Sequence, residues 1–96
     1  MGNQIILAPE AERDLDEIVA YIAKDNPAAA EKFGIRLIER IELLKSFPRL
    51  GREVSGRRSE RVLVEGAILI FYRFHPSVGV IQIKRFWHGA RGTPTL

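Results

Sequence analysis

The run from Ala67 to Trp87, AILIFYRFHPSVGVIQIKRFW, leaves few options for the structure around it. Ile68, Leu69, Ile70, Phe71 and Tyr72 favour an extended strand, and Val80, Ile81 and Ile83 open a second one. Between them, His75-Pro76-Ser77-Val78-Gly79 reads as a turn, because Pro76 has no N–H for a ladder and Gly79 tolerates positive φ. The two strands therefore fold back as an antiparallel hairpin. The first is apolar at nearly every position up to Tyr72, the pattern of a central strand covered on both faces. Packed helices are expected on one face, and a partner or a shallow groove on the other.

Upstream, Asn3 to Leu7 reads as a short strand that stops before Pro9. Pro9 suits the first turn of a helix, and Glu10, Glu12 and Asp14 put negative charge at the positive end of its dipole. Leu15, Ile18, Val19 and Ile22 follow at the spacing of one buried stripe. Asp25-Asn26-Pro27 ends this helix and starts another, with Asn26 as N-cap and Pro27 at the first helical position. From Ala28 to about Phe47 the positions Ala30, Phe33, Leu37, Ile41 and Leu44 keep a helical period, and Ile35, Ile38 and Leu43 widen the face. The second helix is thus expected to be long and antiparallel to the first. Gly34 inside it costs about 1 kcal/mol relative to alanine, which is tolerable where it lets two helices approach closely.

Phe47-Pro48-Arg49-Leu50-Gly51-Arg52 stops the second helix, and the Arg- and Gly-rich segment to Ser59 reads as loop. Arg61 to Glu65 returns to period-two alternation, and Gly66 joins it to the central strand. The element order is strand, helix, helix, strand, strand, strand. It predicts an α+β fold, an antiparallel sheet with an N-terminal strand and an antiparallel helical hairpin on one face.

A chain of 96 residues is expected to form a single domain spanning 1–96, with one modest core. It has no cysteine, which removes disulfides and thiolate sites and fits a reducing cytosol. Neither a signal peptide nor a membrane helix is predicted, and a cytoplasmic location is expected. The net charge is +3, and its division is more telling. Six basic and nine acidic residues lie up to Pro48, against nine and three from Arg49 onward. The sheet half is the basic half, and an acidic protein or a polyanion is its expected partner.

Several stretches together carry a family resemblance: APEAERDLDEIVAYIAKDNPAAAEKF in the helices, FPRLGR after them, ILIFYRF in the central strand and WHGAR near the end. In their order and spacing the chain resembles the RelE/ParE superfamily of toxins from type II toxin–antitoxin systems, in particular the ParE-like, plasmid-stabilisation branch. The resemblance implies a toxin neutralised by a cognate, acidic antitoxin in a hetero-oligomer, with DNA gyrase as a target inhibited by binding. It also implies a second possibility, the ribosome-dependent mRNA endonuclease of RelE type. That reaction needs a base for the 2′-hydroxyl, an acid for the leaving oxygen and cations around the phosphate. With the strand tyrosine placed on Tyr72, Leu69 stands where the endonucleases carry an arginine. Arg61 to Val64 offers one basic residue where they alternate lysines, and GARGTPTL brings no tyrosine after His88.

The candidate residues follow from this. An endonuclease would use His88 as acid or base, with Arg85 and Arg73 on the phosphate. An inhibitor would use Arg57, Arg58, Arg61, Arg73, Arg85, His88 and Arg91 to bind target or antitoxin, with no catalytic residue. Each also has a plain structural reading: His88 as a hydrogen-bonded strand-end histidine, and Arg57, Arg58 and Arg61 as solvated surface. Arg73 and Arg85 interrupt apolar strands and so must reach solvent, a partner or an internal carboxylate. Tyr72 is expected in the core with its hydroxyl hydrogen-bonded. With two histidines and no cysteine, no metal site and no cofactor are expected. A nucleic-acid-binding module without toxicity is a third reading, with weak, salt-sensitive affinity; sequence-specific reading is not expected, for want of a recognisable module.

Overall fold

The computed structural model describes residues 2–89. Strand β1 (Gln4–Leu7) leads into helix α1 (Pro9–Asp25), then α2 (Pro27–Glu42) and a 3-10 turn (Leu43–Lys45). Strands β2 (Arg52–Val54), β3 (Arg57–Glu65), β4 (Ile68–His75) and β5 (Val80–His88) complete the described chain. They form one five-stranded sheet in the order β1-β5-β4-β3-β2, which puts β4 at its centre, as its unbroken apolar run requires.

The α+β class stands, and the sheet differs from the expected one at both edges. β1 pairs with β5 in parallel, so the sheet is mixed and not purely antiparallel. The two strands are separated in the chain by both helices and three strands, so no tight turn holds them antiparallel. At the other edge, β3 begins at Arg57, four residues earlier than the alternation indicates, and β2 lies in the segment expected to be loop. Arg52, Glu53, Arg57 and Arg58 hide these strands from a hydrophobic-period reading, since charge suits an edge.

Asn26 closes α1 and opens α2: its N–H reaches Ile22 O at 3.0 Å, and its side-chain oxygen accepts from Ala29 N at 3.0 Å. The helical hairpin therefore turns on a single extended residue, with Pro27 supplying the preset φ of the next helix. Ile18, Leu37 and Ile41 are buried in one core with Ile70, Tyr72, Ile81 and Ile83. Leu15, Ile22 and Phe33 pack against that core, so both helices lie on one face of the sheet.

The outer flank of α2 departs from expectation. Ile35 and Ile38 are more than half exposed and Leu43 nearly so, and they do not widen the buried face. The α-helix itself ends at Glu42, and the tighter 3-10 turn carries Leu44 into the core while turning Leu43 out. Gly34 is not a site of close helix approach either, because a Cβ there would meet nothing within 4 Å.

Candidate functional site

Glu60 lies on the uncovered face of the sheet, yet it is 5% exposed. Its register partner across β3–β4 is Arg73, whose partner on β5 is Gln82, so three central strands place these side chains in one row. Three cations close over the carboxylate: Lys84 Nζ at 2.5 Å, Arg57 Nη1 at 3.5 Å and Arg73 Nη2 at 3.8 Å. The Lys84 hydrogen bond holds the Glu60 carboxyl below its ordinary range against the opposing effect of burial, and the charges of Lys84, Arg57 and Arg73 add to it. Glu60 is thus an ionised carboxylate at neutral pH inside a cationic cluster.

A register shift beside Phe71 and Tyr72 places Lys84 next to Arg85, with Phe71 opposite Arg85 and Tyr72 opposite Ile83. This bulge re-aims the strand. It lets Phe86 continue the helix-side row while Lys84 and Arg85 both line a bowl of about 350 Å³ with Arg57, Glu60, Phe71 and Gln82. Arg85 reaches past the sheet edge to α1, where its Nε and Nη2 donate to Asp14 at 2.7 and 3.0 Å. Asp14 also accepts from Phe86 N at 3.1 Å, so one buried carboxylate holds both the bulge and the helix. The bond to Asp14 raises the Arg85 pKa, and the guanidinium also sits 6.0 Å from the Trp87 ring.

Arg61 points to the other face, where it orders the FPRLGR segment. Its Nη1 donates to Gly51 O at 2.7 Å, and its Nη2 approaches Glu53 at 3.6 Å. Tyr72, fully buried, donates to Pro48 O and accepts from Gly51 N, both at 2.8 Å. Burial raises the Tyr72 pKa. A Cβ on Gly51 would lie 2.8 Å from both the Tyr72 ring and Val62 O, which is why the motif carries glycine there. His88 lies opposite Ile68 at the far end of β5. It lines a cleft with Ile22, Phe33, Arg36 and Glu65 on the helix side.

Of the expected site residues, the structure therefore brings together Arg57, Arg73 and Arg85 on the open face, and separates them from Arg61 and His88. Arg91 and the side chain of Arg58 lie outside the described set. Glu60, Lys84 and Asp14 are the members that sequence reasoning missed. A signal existed for Glu60, as the one acid within RRSER; Asp14 had none, because Glu12 and Asp25 lie at least as near the apolar stripe around the helix.

A second feature lies on the helix side, along the edge strand β1. A groove of about 370 Å³ runs between Ile5 and Leu7 of β1, Leu15 and Val19 of α1, and Gly34 and Ile38 of α2. Its walls are mostly apolar, with Glu42 and Lys45, an ion pair at 3.0 Å, at its rim. Among the described residues no helix is long and apolar enough to cross a membrane.

Comparison with known proteins covers nearly the whole chain. Residues 5–92 match the model of a family described as the ParE toxin of the type II toxin–antitoxin system parDE. Toxin RelE2 of Caulobacter vibrioides is 30% identical over 88 residues, 92% of this chain and 97% of that protein. A chain of the chromosomal ParDE toxin–antitoxin system of P. aeruginosa shares the fold with a TM-score of 0.75 at 21% identity, covering 90% of this chain and 95% of that one. A chain of the RelBE2 toxin–antitoxin complex of Mycobacterium tuberculosis does so at 0.63 and 20% identity, covering 92% and 99%.

Proposed function

The chain belongs to the ParE family of type II toxins, and from that premise we propose that it acts by occupying a surface of DNA gyrase and is silenced by a cognate antitoxin. The observation that carries this reading is the separation of His88 from Arg73 and Arg85. An acid–base residue must stand within hydrogen-bond reach of the proton it moves, beside the cations that stabilise the phosphate. Here the histidine is in a helix-side cleft and the cations are on the opposite face of the sheet, each with a carboxylate partner.

The antitoxin would engage two surfaces. An apolar helix face fits the groove between β1, α1 and α2, in the manner of an amphipathic segment that folds on binding. Acidic residues beyond that helix would meet the open face, where Arg57, Arg73, Lys84 and Arg85 outnumber Glu10, Glu60 and Asp14. The edge strand β1 lies between the two, so one segment passing around it reaches both.

An mRNA endonuclease of RelE type is the second reading, favoured by the gathering of four cations on one face. Controlled expression with parallel assays of plasmid supercoiling and of mRNA integrity separates the two. Lost supercoiling with intact mRNA, and toxicity retained in His88→Ala, is the expected result. Cleaved mRNA that becomes intact in a folded His88→Ala variant would replace the inhibitor with the enzyme.

A further inference from the structure

We infer that Glu60 is a specificity-determining residue, turning the open face of the sheet away from nucleic-acid backbones so that its cations serve a protein partner. The inference rests on the reading of the chain as an inhibitor that binds a protein. A bowl lined by Arg57, Lys84 and Arg85 beside Arg73 would, by composition alone, attract a polyphosphate. At its wall stands a carboxylate that is 5% exposed and closed over by three of those cations. It cannot swing out to solvent without leaving all three, and its lowered pKa keeps it ionised through the physiological range.

The consequences differ for the two kinds of ligand. A phosphodiester laid against Arg57, Arg73 or Lys84 also comes up against Glu60, and the donors nearest to it already point at that carboxylate. Arg85 is held in the same way by Asp14, through two hydrogen bonds at 2.7 and 3.0 Å. Glu60, Asp14 and Glu10, which also lines the bowl, against four cations leave a small residual positive charge. That suffices for one or two carboxylates presented by a protein, and is too little for a backbone with a charge at every nucleotide. Discrimination thus comes from a repulsive group built into the site as well as from the attractive ones.

The test measures binding of the full chain to a short single-stranded RNA as a function of salt, for wild type, Glu60→Gln and Glu60→Asp. Removing the anion should give Glu60→Gln a tighter complex. Its dependence of log K on log salt should be steeper by about 0.7 to 1, one further phosphate neutralised. Wild type and Glu60→Asp should stay weak and shallow. A folded Glu60→Gln variant whose affinity and slope equal those of wild type overturns the inference.

Should Glu60→Gln not fold, the salt slope of the wild-type chain keeps the question open to test. With its cations largely neutralised by internal carboxylates, log K should fall with log salt far less than the roughly 2.8 expected if all four bound phosphate, and a slope near that value would refute the idea. Supercoiling assays of the wild-type chain run beside these. No effect on supercoiling removes gyrase as target and leaves the Glu60 comparison standing, whereas equal RNA slopes remove only the role of Glu60.

Discussion

At the scale of single residues, two polar side chains do work that their neighbours in sequence do not advertise. Tyr72 is a buried strand residue whose hydroxyl is the only polar atom it must satisfy, and it does so by bonding both Pro48 O and Gly51 N. Tyr72→Phe keeps the ring and leaves both backbone groups without that partner. It should destabilise the fold by about 1 to 3 kcal/mol, read as a lower urea midpoint with an unchanged slope. Glu60 has a pH signature. Its folded-state pKa is lowered from 4.5, so the unfolded chain binds the proton more readily. The stability it confers is present above the unfolded value and is lost as pH falls through the folded one. The stability gap between wild type and Glu60→Gln should therefore be full near pH 7 and shrink below about pH 4.5. A gap that is constant from pH 7 to pH 3 would show that the ionised carboxylate is not what Arg57, Arg73 and Lys84 are held by.

At the scale of elements, the helices and the central hairpin were legible because hydrophobic period and punctuation agree there. Pro9, Asn26 and Pro27 mark the helix starts, and β4 and β5 carry β-branched and aromatic runs around a glycine with φ of 64°. The β2 edge was not legible, because β2 and the start of β3 are charged on both faces and their pairing is set by the partner strand; at the other edge β1 was legible as a strand and its parallel pairing was not. The open-face site was legible only as a set of arginines. What groups them is the β5 bulge and the register of β3 on β4, which are tertiary facts. Gly34 makes the same point. Close packing of α1 on α2 is the obvious reason for a mid-helix glycine, yet the space above it is open and forms part of the apolar groove. Gly34→Ala should therefore raise stability, by up to about 1 kcal/mol from helix propensity alone. A fall in the melting temperature would mean that the helices do close on that position.

At the scale of the whole molecule, charge is distributed across the sheet as well as along the chain. The helix α1 on one side is acidic, with six Asp and Glu against Arg13 and Lys24, while the opposite face presents Arg57, Arg73, Lys84 and Arg85. If the antitoxin meets an apolar groove on the helix side and cations on the open face, the two surfaces should govern different steps of association. Exposed charges act over a Debye length of about 8 Å at physiological salt, so they steer encounter, whereas apolar contacts form only after docking and hold the complex together. Arg73→Glu, at a side chain 40% exposed, should slow association several-fold and flatten its salt dependence, with little change in dissociation. Ile38→Ser, on the wall of the groove, should leave association alone and speed dissociation. Stopped-flow or surface-based kinetics with a cognate antitoxin would read both rates at several salt concentrations. Association indifferent to salt would remove the open face from the antitoxin interface, and identical kinetic effects from the two substitutions would mean that groove and face are not separate parts of it.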